Sequence, residues 1–303
     1  MNAPFVSIVL PTRNGAATLS GVLDAIARQR VAFEFEVLAV DSSSTDGTAE
    51  LLSGRVNRVV SIAADTFDHG LTRNLGVTQA RGELIVLLVQ DAEPASDLWL
   101  AALTAPLVAD DRLAGTFGRQ LPRPNASAIT RHYLQRWVAS SEVPRTVAVA
   151  NRAELEALDP MAQVDLCAFD NVCSCIRRSI WQAHPFHSTP IGEDIEWARE
   201  VLLAGYRLAY VPQGVVIHSH DRPARYEFVR TFVLHRRLYE LFRLRTIPTV
   251  AHLARAVASS LALHLRCQRS GRAIALAFAW PLGQYLGALS ATRGWTSPRW
   301  GRV

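Results

Sequence analysis

Two apolar runs that stop at carboxylates constrain this chain more than any other feature. Phe35-Glu36-Val37-Leu38-Ala39-Val40 ends at Asp41, and Leu84-Ile85-Val86-Leu87-Leu88-Val89 ends at Gln90-Asp91. Runs of about six β-prone residues bounded by polar turns read as buried parallel strands, because a strand covered by helices on both faces has no solvent side to make polar. In open α/β sheets ligands bind in the crevice beyond the carboxyl ends of such strands. The two aspartates are therefore expected to line one crevice.

The neighbouring segments extend this pattern. Val6-Ser7-Ile8-Val9-Leu10 runs into Pro11-Thr12-Arg13-Asn14 and is followed by a helical face of Leu19, Val22, Leu23 and Ile26. Asp41-Ser42-Ser43-Ser44-Thr45-Asp46-Gly47-Thr48 offers a carboxylate, several hydroxyls and a glycine turn at a helix start, with Ser44 or Thr45 placed to cap it. A carboxylate there can accept from a base N–H or from ribose hydroxyls. A third strand, Val59 to Ala63, precedes Phe67-Asp68-His69-Gly70-Leu71-Thr72-Arg73-Asn74, whose later part reads as a helix closed by Gly82. Downstream, Ile191-Gly192-Glu193-Asp194 opens a helix with an apolar face at Ile195, Ala198, Val201 and Leu202 that ends at Gly205. Val215-Val216-Ile217 reads as a strand delivering His218-Ser219-His220, and strand alternation puts both histidines on one face.

Pro11-Thr12-Arg13-Asn14, the Asp41 to Thr48 segment, His69-Gly70-Leu71-Thr72-Arg73-Asn74 and Gln90-Asp91-Ala92, in this order, resemble the inverting family 2 glycosyltransferases with the GT-A fold. Within that family they most resemble the rhamnosyltransferase-like branch. Asp170-Asn171, Gly192-Glu193-Asp194 and His218-Ser219-His220 continue the likeness, which spans residues 5–240. It implies a GT-A-type, mostly parallel, Rossmann-like α/β sheet flanked by helices. A catalytic domain over residues 1–221 and a helical appendage over 222–303 are expected. The implied reaction moves a sugar from a nucleoside diphosphate to a hydroxyl of a glycan or lipid-linked acceptor in surface polysaccharide synthesis. Rhamnose from a dTDP donor follows from the subfamily pattern, with a UDP sugar as the alternative.

Such a transfer needs a base for the acceptor proton, a stabiliser for the departing diphosphate and in-line geometry at the anomeric carbon. By the resemblance Asp194 is the base, and Glu193 orients the acceptor or the helix start; both carboxylates also suit ordinary capping of a helix N-terminus. Asp91 takes the second acidic position of the family's D-x-D element, whose first position here is Val89, so Gln90 and Asp91 stand where an acidic pair is usual. Asp91 and His218 are the implied ligands for Mg²⁺ or Mn²⁺, with diphosphate oxygens and water completing the shell. His220 is assigned to the diphosphate. Pro11, Thr12, Arg13, Asn14, Asp41 and Ser43 are assigned to the base and ribose. His69, Gly70, Arg73 and Asn74 are assigned to the nucleotide and diphosphate, and Asp68, Asp170 and Asn171 to the sugar or acceptor.

Charge divides the chain. All 32 basic residues are arginine, and 14 of them lie in residues 222–303 against only Glu227 and Glu240, a balance of +12, while residues 1–221 carry −7. A helix from Tyr226 to Arg245 interleaves Val229, Phe232, Val233, Leu238, Leu241 and Phe242 with arginines. It reads either as a packing helix with solvated arginines or as a binder of anionic membrane. From Ala273 to Thr292 there is no charged residue, but Pro281, Gly283, Gln284 and Gly287 dilute the stretch, which favours an interfacial or docked helix pair over a span. Nucleic acid is not expected, since no recognition motif accompanies the charge.

Cys167, Cys173, Cys175 and Cys267 show no paired metal-ligand spacing, and Cys173-Ser174-Cys175 reads as reduced thiols in a half-buried strand. Met1 to Pro4 leads straight into the first strand without a signal core, so a cytoplasmic enzyme peripheral to the inner membrane face is expected. Three other classes fit less well. A nucleotide-sugar pyrophosphorylase would need a Gly-rich, Lys-containing loop, and the chain has no lysine. A nicotinamide oxidoreductase would need Gly-x-Gly-x-x-Gly after the first strand. A non-catalytic sugar-nucleotide-binding scaffold would keep Asp41 and lose the base or the metal ligands.

Overall fold

The computed structural model describes residues 4–267 and 270–295. Its strands are β1 (Val6–Thr12), β2 (Phe35–Asp41), β3 (Arg58–Ser61), β4 (Leu84–Leu88), β5 (Glu93–Pro94), β6 (Leu113–Leu121), β7 (Arg145–Val147), β8 (Cys173–Arg177) and β9 (Arg207–Ile217). The helices before the tail are α1 (Ala16–Ala27), α2 (Thr48–Leu52), α3 (His69–Gln79), α4 (Trp99–Ala109), α5 (Ala128–Leu134), α6 (Arg152–Ala157), α7 (Pro160–Leu166), α8 (Arg178–Ala183) and α9 (Glu193–Leu203). The tail holds α10 (Ala224–Phe242), α11 (Val250–Cys267) and α12 (Gly271–Thr292).

The strands form one sheet in the order β3-β2-β1-β4-β8-β6-β9-β5, with β7 paired to β9. The continuous apolar runs follow from burial on both faces. Val9, Leu38, Ile85 and Leu87 enter one core, while Ile8, Leu10, Val37, Ala39, Val86 and Leu88 enter the other. From β3 to β4 the sheet is parallel, and the register sets Thr12 opposite Asp41. Beyond β4 it is mixed, since β8 runs antiparallel to both β4 and β6. This reversal carries the end of β8 that holds Cys173 and the preceding Asp170-Asn171 to the same edge as the ends of β4 and β9. β8 is central, so Cys173 and Cys175 are fully buried rather than half-buried, and burial pushes the Cys173 thiol up to about 12.

Glu36 interrupts an apolar run without disturbing it. Its carboxylate accepts from Ser7 Oγ at 2.7 Å and from Arg81 Nε and Nη2 at 2.9 and 2.7 Å, so the buried charge is paired and hydrogen-bonded. Two local expectations differ. Asp46, not Ser44 or Thr45, accepts from Thr48 N at the start of α2. α3 ends at Gln79, and Gly82 instead lies against the backbone of Ser7.

α12 lies along α10, and two of its glycines allow the close approach: a Cβ at Gly287 would stand 2.3 Å from Phe232 O. α10 meets α9 through an ion pair between Arg237 and Glu196. Arg236 and Arg230 pair with Glu240 and Glu227 at 3.1 and 3.2 Å, so part of the positive charge is neutralised within the tail. The Ala273 to Thr292 stretch is one helix with Pro281 inside it rather than a helix pair. It is long and apolar enough to cross a membrane, yet half of it is buried within the protein.

Candidate active site

The carboxyl ends of β1 and β2 build one corner. Asp41 is buried and accepts from Thr12 Oγ1 at 2.9 Å, Ser44 N at 3.0 Å and Ser44 Oγ at 2.6 Å. Ser44 Oγ in turn accepts from Asn14 N at 2.9 Å, and Thr45 N donates to Asn14 Oδ1 at 2.9 Å, so the two strand-end loops are laced together. Asn14 and Ser43 both take left-handed backbone angles, φ 48° and 55°, a conformation that costs a non-glycine residue energy and is held by these bonds. Ser43 Oγ donates to Ile62 O at 2.8 Å. The Arg13 side chain is exposed, and Pro11 sits half-buried at the strand end.

Gln90 joins this corner to the next. Its amide exchanges two hydrogen bonds with the Arg13 backbone, Arg13 N to Oε1 at 2.8 Å and Nε2 to Arg13 O at 2.9 Å. Its polar atoms thus face the chain, and Asp91 is the member of the pair that reaches the next cluster. Asp91 stands 3.6 Å from His218 Nε2 and 3.2 Å from His220 Nε2, and the two Nε2 atoms are 3.1 Å apart. The sequence assigned His220 to the diphosphate and only His218 to a metal. The structure puts both rings on Asp91 in one group whose ligand atoms lie within 4.8 Å of each other.

One carboxylate and two imidazole rings offer three donor atoms to a divalent cation. Burial, partly opposed by Asp91, lowers the His218 pKa to about 4, so the ring is neutral near pH 7 and its lone pair is free for a cation. Its tautomer is fixed from behind. Gln120 Nε2 donates to Asp170 at 2.5 Å, which turns Gln120 Oε1 toward His218 Nδ1 at 3.0 Å, so Nδ1 must carry the proton and Nε2 the lone pair.

The third corner gathers carboxylates at the start of α9. Gly192 enters the helix at φ 81°, a left-handed conformation that favours glycine, and this turns Glu193 inward. Glu193 forms a buried ion pair with Arg73 at 3.0 Å and accepts from Asn171 Nδ2 at 3.2 Å. Burial opposes its ionisation, but Arg73 and His69 outweigh this and hold its pKa below the ordinary value. Asp194 is half-buried and accepts from Ile195 N at 2.8 Å and Asn171 N at 3.4 Å. Burial first, then the Glu193 and Asp170 carboxylates, raise its pKa well above the ordinary value.

Several of the predicted ligand residues also bond within the protein. Arg73 is buried on Glu193 and also donates to His69 O at 3.0 Å, although its Nε has no partner among the described residues. Asn74 bonds through both amide atoms: Oδ1 accepts from Trp181 Nε1 at 2.8 Å and Phe186 N at 3.1 Å, and Nδ2 donates to Phe186 O at 2.7 Å. Its place is to hold the loop before α9. Gly70 has the same cause, for a Cβ there would stand 2.0 Å from His187 O. Asp68 caps α3 at Leu71 N and accepts from Ser188 Oγ at 2.9 Å. His69 stacks edge-on against Phe67 at 5.0 Å and is half-buried, and desolvation lowers its pKa. Asp170 accepts from Gln120, Val172 N and Trp137 Nε1, so it orders the site from within.

Gln120, Arg123 and Trp137 were missed. Arg123 donates to the Asp91 carbonyl and so braces the histidine cluster from the loop after β6. No local pattern marks them, because each meets the site through a pairing made only in three dimensions. The one local cue is Leu121-Pro122-Arg123-Pro124-Asn125, whose two prolines read as a loop and which contains Arg123.

The chain resembles known proteins in sequence and in fold. The family model described as glycosyl transferase family 2 matches residues 7–152. The O-antigen chain rhamnosyltransferase RfbN of Salmonella typhimurium is 31% identical over 232 residues, covering 75% of this chain and 70% of that protein. The O-antigen chain rhamnosyltransferase WbaN of Salmonella anatum is 29% identical over 76% of this chain and 70% of its own length. Among solved structures, the mannosyltransferase PcManGT of Pyrobaculum calidifontis, in complex with GDP-Man and Mn²⁺, matches with TM-score 0.54 at 20% identity, covering 99% of this chain and 78% of that one. Glucosyl-3-phosphoglycerate synthase of Mycobacterium tuberculosis, with Mn²⁺ and UDP, matches with TM-score 0.56 at 20% identity over 82% of each chain. At these identities the structural likeness establishes the fold.

Proposed function

This chain belongs to glycosyltransferase family 2 and is a nucleotide-sugar-dependent transferase; from that premise we propose that it adds rhamnose to a hydroxyl of a growing surface glycan. The observation that carries the reading is the joining of the Asp91 group to the Asp194 carboxylates through Gln120, Asp170 and Asn171. The rhamnose assignment is supported by the two Salmonella relatives, and a UDP-hexose is the reading it competes with.

Each corner has a task. Asp41, Thr12 and the Asn14 loop hold the base and ribose. Asp91, His218 and His220 hold Mn²⁺ or Mg²⁺, which when bound offsets the charge of the diphosphate. Asp194 accepts the proton of the acceptor hydroxyl as its oxygen meets the anomeric carbon from the face opposite the diphosphate, which inverts configuration. Asn171 N–H orients the Asp194 carboxylate. Glu193, locked on Arg73, keeps a fixed negative charge beside the base and raises its proton affinity.

Asp194→Asn removes the proton acceptor, so kcat should fall by about 10²–10⁴-fold while donor affinity is unchanged. The active form is the ionised one and its pKa is raised, so the wild-type rate should rise with pH through an ionisation above the ordinary aspartate range. Release of nucleoside diphosphate against pH tests both statements. Transfer at the wild-type rate in the variant would reject Asp194 as the base.

Asp91→Ala and His218→Ala should each abolish tight Mn²⁺ binding, and Gln120→Leu should weaken it by about 10- to 100-fold through loss of the tautomer lock. Paramagnetic resonance of Mn²⁺ in the presence of dTDP measures this without turnover. Wild-type binding in the Asp91 variant, or full activity in excess chelator, would remove the metal from the account.

The tail supports attachment to anionic membrane beside a lipid-linked acceptor. Arg255, Arg266 and Arg272 are exposed, as are Leu265, Ile274 and Phe278, so charge and apolar surface share α11 and α12. Basic side chains near an anionic leaflet contribute about 1 kcal/mol each. The protein should sediment with anionic vesicles, weakly in high salt and not after removal of residues 222–303. Equal binding to neutral vesicles would indicate hydrophobic insertion instead.

A further inference from the structure

Trp137, just past the end of α5, is a large aromatic side chain that the core leaves out, with 40% of its surface exposed. It is nevertheless held firmly. Its indole Nε1 donates to Asp170 Oδ2 at 3.0 Å, and its backbone N–H donates to Leu134 O at 3.0 Å. The turn that follows, Val138–Ser140, is fastened to the sheet: Arg119 Nε donates to Ser140 O at 3.1 Å, and the Tyr210 hydroxyl donates to Ser141 O at 2.7 Å. Among the described residues no aromatic ring or guanidinium stacks on the indole.

The position matters as much as the exposure. Asp170 holds the indole, and the next residue, Asn171, offers its N–H to Asp194 at 3.4 Å. The ring is therefore tied to the carboxylate that holds the acceptor proton, and its anchor Asp170 precedes β8, three strands along the sheet from the β2 that ends in Asp41. A rigid ring anchored by its N–H, with apolar surface left open beside a base, suits a sugar. One face of a pyranose is a patch of C–H bonds with slight positive charge, and the indole face carries the negative side of a quadrupole. A tryptophan supplies this area with little entropy to lose, because only two side-chain torsions must be fixed.

We propose that Trp137 is the platform of an acceptor subsite, on which a pyranose ring of the glycan acceptor stacks so that one of its hydroxyls reaches Asp194. This rests on the transferase reading and adds to it the wall that receives the acceptor. Asp170 is then a positioning residue, holding the platform through one N–H and the tautomer lock of His218 through another.

The test uses the full chain with Mg²⁺ and dTDP or UDP, and methyl α-L-rhamnopyranoside, methyl α-D-mannopyranoside and methyl β-D-galactopyranoside as probes at millimolar concentration. Saturation-transfer NMR should show transfer to the C–H protons of at least one pyranoside. The signal should fall about five- to tenfold in Trp137→Ala and in the bulk-keeping Trp137→Leu, and persist in Trp137→Phe. Calorimetric affinity for the nucleotide should be the same in all four proteins. If neither nucleotide binds the wild-type chain, the transferase reading itself fails. If a nucleotide binds but no pyranoside gives a signal, or the signal survives in both Trp137→Ala and Trp137→Leu, the acceptor subsite alone is overturned.

Discussion

The buried ion pair between Arg73 and Glu193 is the contact on which the rest of the site depends. It joins α3 to the first turn of α9 at 3.0 Å, with only 6% and 5% of the two side chains exposed. Removing two charges from water costs several kcal/mol per ion, and the cost is recovered only with good geometry and further hydrogen bonds. Glu193 has such a bond from Asn171, and Arg73 has one to His69 O. Losing one partner would leave a bare charge in the core, at a cost of about 3–5 kcal/mol. The pair contributes little net stability compared with an apolar substitute, so its value lies in what it fixes. It anchors a carboxylate beside Asp194 and so adds to the rise in proton affinity that burial gives that group.

From this anchor the site can be followed as one hydrogen-bonded path. Glu193 holds Asn171, Asn171 N meets Asp194, and Asp170 receives Trp137 and Gln120. Gln120 then fixes His218, which faces Asp91 and His220. Partly satisfied buried networks are costly, whereas satisfied ones are rigid. Rigidity is what a transfer reaction needs, since donor carbon and acceptor oxygen must be aligned before any bond changes.

The parts legible in the sequence were those written in local pattern. Strand ends carrying Asp41 and Asp91, the helix after Gly192 and the alternation of His218 with His220 all follow from periodicities of two or 3.6 residues. What local pattern could not carry was pairing across the sheet. The antiparallel β8 inserted between β4 and β6 brings Asp170 and Asn171 to the active edge, and nothing in Cys173-Ser174-Cys175 announces its direction. The same applies to Arg73 and Asn74. Both read as donor ligands from their motif, and neither motif announces the contacts each also makes within the fold: Arg73 with Glu193, 120 residues away, and Asn74 with the Phe186 backbone, 112 away. The tail shows the converse: its charge was visible at once, but Gly283 and Gly287 mark a helix contact only when α10 is seen against them.

The central claim is that burial and the neighbouring carboxylates together give Asp194 the raised proton affinity proposed for the base. Carbon NMR of carboxyl-labelled aspartate, with Asp194 assigned by the loss of its resonance in Asp194→Asn, measures that affinity directly. The account predicts a midpoint above the ordinary aspartate range in the wild-type chain and a lower one in Glu193→Gln, where the fixed negative charge is gone and Arg73 is unpaired. A midpoint within or below the ordinary range, or one that Glu193→Gln leaves unmoved, would contradict it.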